Sequence, residues 1–192
     1  IGSAIMDSLA AYTACNDFIF ASQIDHEKYP FEQRVFDVFD EDMSSLLDII
    51  QNNVNLLYTD FPTIRKVFNT LYLSGCIMNY YGSSIAFSGG EHHIAHTLEH
   101  NFPTLSKKYL HGEIISAILP FYANLQTNFN GVEYIPKNIV KHNNRFNFKE
   151  IANILEMPSR PEDIGISEDD FFNCVKEAKF AKERPTLLSV LF

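Results

Sequence analysis

The 192-residue sequence predicts an all-α protein, a multi-helix bundle of seven to nine helices with polar residues turned into a cleft. Three observations carry this. Apolar residues recur at spacings of three and four almost throughout. Helix start and stop signals punctuate the chain at matching intervals. No stretch alternates apolar and polar with the period of two that a half-buried strand needs. There is no internal repeat and no low-complexity linker. Residues 1–192 are therefore expected to form one helical domain, or two closely packed subdomains.

Taken in order, Ile5, Leu9, Tyr12 and Thr13 share a helical face near the start. Phe36, Val38 and Phe39 precede the acidic run Asp40-Glu41-Asp42, which reads as the first turn of a helix over Ser44–Tyr58. Asp60-Phe61-Pro62-Thr63 is a turn that opens the next helix, carried by Ile64, Val67, Leu71 and Ile77 to about Tyr81. Gly82 to Gly90 is a loop, Glu91–Asn101 a helix, and Phe102-Pro103 its stop. Gly112–Asn128 is a further helix in which Pro120 predicts a kink or an early break. Residues 130–144 are turn-rich and Phe148–Met157 is a short helix. Ser167 caps a helix with an acidic first turn, from Asp169 to about Ala181, and a last short helix follows Pro185.

Composition narrows the function classes. A net charge of -9 and a pI near 5.2 argue against a nucleic-acid partner and against a polybasic membrane anchor. No apolar run approaches the ~20 residues that span a bilayer. Cys15, Cys76 and Cys174 form no CxxC pair, and each sits among apolar or helical residues, so buried reduced thiols and a cytoplasmic location are expected. The chain opens Ile-Gly-Ser-Ala-Ile-Met-Asp, inside an apolar helical pattern and without a basic leader, so it is expected to be a fragment of a longer polypeptide.

The chemistry concentrates in one stretch. Five of the seven histidines fall between positions 92 and 111, in Ser88-Gly-Gly-Glu-His-His-Ile-Ala-His-Thr-Leu-Glu-His100 and in His111-Gly-Glu113. His92 and His96 share a helical face, and His111 opens the following helix. Neutral imidazole is a good ligand for zinc or iron(II). Two or three of them with one carboxylate make a site that keeps a position open for substrate. His93 points roughly 100° away from His92 around the helix, which makes it a bystander. His100 falls near the helix end, as a cap or on the surface. Gly89-Gly90 allows a tight turn and an anion at a helix N-terminus, or is simply a turn. A carboxylate must come from elsewhere. Asp7 is the candidate, because a charge inside Ala4–Ala11 is costly unless paired or coordinated; the alternative is an aspartate facing solvent.

These segments resemble the C-terminal helical domain of sn-glycerol-1-phosphate dehydrogenases, within the superfamily of iron-containing alcohol dehydrogenases, glycerol dehydrogenases and dehydroquinate synthases. The resemblance is carried by Asp7–Phe18, Leu73–Ser84, Ser88–His96 with His111-Gly-Glu113, and a degenerate closing Arg184-Pro-Thr-Leu-Leu188. It implies a dehydroquinate synthase-like C-terminal fold and metal ligands Asp7, His92 and His111. The metal would be zinc, with iron(II) as the alternative. His96 becomes a catalytic residue that contacts the substrate or backs a ligand. The implied reaction is metal-assisted hydride transfer between NAD(P)H and a small polyol, polyol phosphate or hydroxy-ketone, and a homodimer is plausible by the same likeness.

Two departures qualify it. The family's dinucleotide-binding α/β domain has no counterpart here, so the chain alone is expected to be inactive. Where the family carries Ser-Arg-Pro, this sequence has Ser84-Ile-Ala-Phe-Ser88, which puts a phosphorylated substrate in doubt unless Lys107 and Lys108 compensate. The alternative readings are a dehydroquinate synthase-like cyclase or lyase, which uses glutamate where Asp7 stands, and an inactive helical module.

Overall fold

The computed structural model describes residues 1–128 and 146–191. Among these residues the protein is all-α, as the periodicity predicts, with no strand. Helices α1 (Gly2–Leu9) and α2 (Ala11–Ile24) are followed by α3 (Gln33–Asn53), α4 (Leu56–Thr59) and α5 (Phe61–Tyr81). Then come α6 (Gly90–Asn101), α7 (Leu105–Lys108), α8 (His111–Asn128), α9 (Phe148–Ile154), α10 (Glu168–Ala178) and α11 (Leu188–Leu191). Among the described residues three of the eleven, α4, α7 and α11, are single turns, which leaves eight longer helices there, against the seven to nine expected of the whole chain.

Local signals set several of these as read. Asp60 accepts from the Thr63 amide and hydroxyl, Pro62 occupies the first turn, and Gly82 closes α5 in the left-handed conformation at φ 59°. Ser167 accepts from the Asp170 amide at the start of α10. Elsewhere packing overrides the local signal. Helix α3 starts at Gln33, not Ser44, and stops at Asn53, with α4 a separate turn. Phe36, Phe39, Met43, Leu46, Leu47 and Ile50 form one buried stripe, so the acidic run lies mid-helix. There Asp40 accepts from the Tyr12 hydroxyl at 2.8 Å and Asp42 pairs with Lys66 at 3.5 Å.

Pro120 does not break α8, which runs through it against α1 and α6. The missing bond to the Ser116 carbonyl costs about 3 kcal/mol, and the buried face from Ile114 to Ala123 offsets it. Helix α9 stops at Ile154 and α10 at Ala178, each three residues short of expectation. Glu156, at φ 56°, ends the first. The turn-rich stretch expected over 130–144 lies outside the described residues. Cys15 and Cys174 are buried, but Cys76 is exposed on the outer face of α5, contrary to expectation. No helix among the described residues is long and apolar enough to cross a membrane.

Candidate metal centre

Helix α1 crosses the start of α8. The crossing is close because Gly112 lies against the Ser3 carbonyl, where any Cβ would overlap it. It carries Asp7 of α1 to His111, the first residue of α8, and to His92 in the first turn of α6. The ligand atoms of Asp7, His92 and His111 lie within 4.8 Å of one another. His92 Nε2 is 3.3 Å from Asp7 Oδ1, and the His92 and His111 rings are 5.4 Å apart between centres. Asp7 is half-buried, and its Oδ1 is shielded from water without accepting a hydrogen bond. Such an orphan needs an explanation. A divalent cation supplies one, since ligands about 2.0–2.1 Å from zinc sit about 3.3 Å apart around a tetrahedron. Two imidazoles and a carboxylate suit zinc or iron(II). The residues present fit such an ion.

Behind His92 stands a second carboxylate. Glu91, fully buried, lies 2.9 Å from His92 Nδ1 and also accepts from the Gly89 amide and the Thr13 hydroxyl. Burial pushes its carboxyl up, but the bond and charge of His92 and the Gly89 amide outweigh that and hold it below the usual range. His92 is caught between two carboxylates. Burial lowers its basicity, yet the carboxylates of Asp7 and Glu91 on either side raise it to about 9.

A third carboxylate, Asp17, is buried beside this pair. It accepts from the Gly90 amide (2.6 Å), the Leu187 amide (2.8 Å) and the Tyr122 hydroxyl (2.9 and 3.0 Å). Burial, and then the nearby Glu91 charge, raise Asp17 to about 7. Gly90 must be glycine here, because a Cβ would strike the Tyr122 hydroxyl. The Gly89 and Gly90 amides are thus taken by the protein's own carboxylates, so the Gly-Gly turn is not open to an outside anion.

His111 is backed differently. Its Nδ1 is 3.0 Å from Glu99 Oε1, and His96 Nδ1 is 3.1 Å from Glu99 Oε2. The His96 and His111 rings stack 5.1 Å apart with 20° between their planes. His96 is exposed and lines the same cleft as Asp7 and His92. Its basicity is lowered by partial burial against the pull of Glu99, and Lys182 adds to the lowering.

The remaining candidates fall outside this cluster. His93 is fully buried on the far side of α6 with neither ring nitrogen hydrogen-bonded, and burial drives its pKa down to about 3. His100 is on the surface. Lys107 and Lys108 are exposed on α7 and do not line the cleft. The positive charge comes instead from the closing segment, which sequence reading did not assign. Lys182 lines the cleft with Ser84 and Ser88, its Nζ 3.4 Å from the Ser88 hydroxyl. Arg184 donates to the Ser88 carbonyl and hydroxyl and to the Ser84 hydroxyl. The available signal was two cations two residues apart beside the segment already matched at Arg184.

No protein-family model matches the chain. Over 131 residues, 68% of the chain, it is 28% identical to a protein of Methanocorpusculum labreanum named glycerol-1-phosphate dehydrogenase [NAD(P)+]. The match covers 31% of that protein, so the chain spans about a third of its relative's length. The chain is, to that extent, similar to a protein named as an NAD(P)-dependent dehydrogenase.

Proposed function

We propose that this chain is the helical metal- and substrate-binding part of an NAD(P)-dependent dehydrogenase acting on a small polyol phosphate or its keto form. The observation that supports it best is the meeting of Asp7 with His92 and His111 from three separate helices, with Asp7 Oδ1 turned toward them and left without a hydrogen bond. Asp7, His92 and His111 would hold zinc or iron(II). When bound, the ion polarises the substrate oxygen as a Lewis acid. Glu91 fixes His92 from behind, in the manner of carboxylate–histidine pairs at metal sites. His96, at the cleft wall with lowered basicity, exchanges a proton with the substrate hydroxyl at its ring nitrogen. Lys182, with the Ser84 and Ser88 hydroxyls held by Arg184, receives the anionic end. That arrangement supports a phosphorylated substrate in spite of the missing arginine. The nicotinamide cofactor would be held by a part of the parent protein outside these 192 residues, so hydride transfer is expected only from the longer protein.

The test is the metal content of the purified chain and of His92→Ala. Near-stoichiometric zinc or iron that disappears in the variant is expected. A wild-type chain that takes up neither metal, even when zinc is added, would sink the reading.

A further inference from the structure

We infer that Glu99 is a shared positioning residue, one carboxylate that fixes both His96 and His111 in the same tautomer. Each of its oxygens meets a different ring, and in both rings the atom it meets is Nδ1, at 3.0 and 3.1 Å. An ionised carboxylate only accepts hydrogen bonds. Both neutral rings must therefore carry their proton on Nδ1, which leaves the lone pair of each on Nε2, the far edge of the ring. A planar carboxylate bridging two such donors also brings the rings near parallel, as the 20° interplanar angle shows.

Glu99 can do this because it lies three residues beyond His96 on α6 and at the end of α6 that the short α7 connection folds back beside His111. The consequence differs for the two rings. For His111 it selects Nε2 as the ligand atom, the only part of the inference that rests on the proposed function. For His96 it leaves Nε2 as a proton acceptor at the cleft wall. One side chain thus orients a ligand and a proton carrier together.

The experiment is a long-range 1H–15N correlation spectrum of the histidine rings in the metal-free 192-residue chain at pH 8.5, where an ordinary imidazole is neutral. His96 and His111 are expected to show Nδ1–H, against the Nε2–H form that an unconstrained imidazole favours, with exposed His100 as the internal reference. Glutamine has one acceptor oxygen, so in Glu99→Gln at least one of the two rings should switch to Nε2–H. Nε2–H on both rings of the wild type overturns the inference, and the wild-type spectrum decides even if the variant fails to fold. Zinc titration against a chromophoric chelator follows, with a 10- to 100-fold weaker affinity expected in Glu99→Gln. The two readings fail separately. Nδ1–H rings in a chain that binds no zinc leave Glu99 in its role and remove the metal. Zinc bound by a chain with Nε2–H rings does the reverse.

Discussion

The two histidines flanking Asp7 are built alike and set in opposite surroundings. His92 faces the cleft but is backed by Glu91, which is fully buried beside Asp17, itself held by Tyr122 and the Leu187 amide. His111 is backed by Glu99 at a partly open surface, with His96 as a second ring on that carboxylate. The same carboxylate–imidazole pair therefore has two different costs. In the interior every lone pair must be met, and Glu91 needs the Gly89 amide and the Thr13 hydroxyl besides His92. At the surface water screens the pair, so Glu99 is free to serve geometry more than stability.

Removing the two carboxylates tests that contrast most severely. Glu91→Ala strands a buried amide, a hydroxyl and His92, and should destabilise the chain by about 3–5 kcal/mol. Glu99→Ala should cost about 1 kcal/mol or less. Urea denaturation of both variants measures the difference, and equal losses would erase it.

The second test is pH. His92, between two carboxylates, has its pKa raised from 6.5 to about 9 in the folded metal-free chain. Its contribution to stability is complete below pH 6.5 and is lost as pH rises through about 9. Asp17, an acid raised to about 7, works in the same direction at lower pH, because keeping it ionised in the interior is unfavourable. The metal-free chain should accordingly be more stable at pH 6 than at pH 9. Zinc affinity should climb over the same window, since zinc must displace the His92 proton. Glu91→Gln, if it folds, should flatten both profiles; a stability that rises from pH 6 to pH 9 contradicts the arrangement.

The smallest effect is expected at the cleft's cationic wall. Lys182→Ala should change stability by about 0.5 kcal/mol or less. It should weaken glycerol phosphate binding about tenfold while leaving glycerol itself unaffected, as calorimetry would show. Equal binding by the variant would take Lys182 out of the substrate's reach.

Where a signal is local, the sequence was readable. Asp60, Pro62 and Gly82 frame α5 within a turn of its ends, and Ser167 does so for the start of α10. The acidic run before Ser44 misled because it imitates a helix start, while Phe36 and Phe39, packed against Tyr12, decide where α3 begins. In the site, the histidine motif and Asp7 were visible as chemistry out of place among apolar neighbours. Asp17 is more deeply buried, and its place between Asn16 and Phe18 gave no such contrast with apolar neighbours. Lys182 was invisible for another reason. It reaches the cleft only because the closing segment folds back over Ser88, which no local pattern announces.

Asp17 has one more implication, for the order of folding. Its carboxylate joins the Gly90 amide 73 positions away and the Leu187 amide 170 positions away. Contacts of such separation carry a large loop-closure entropy and form slowly. The individual helices can form from nearby contacts, but the cleft requires the first and last parts of the chain to meet at one side chain. A chain emerging from synthesis thus carries its histidines long before the closing segment with Lys182 can join the cleft, and the bond at Asp17 is completed only when residue 187 arrives.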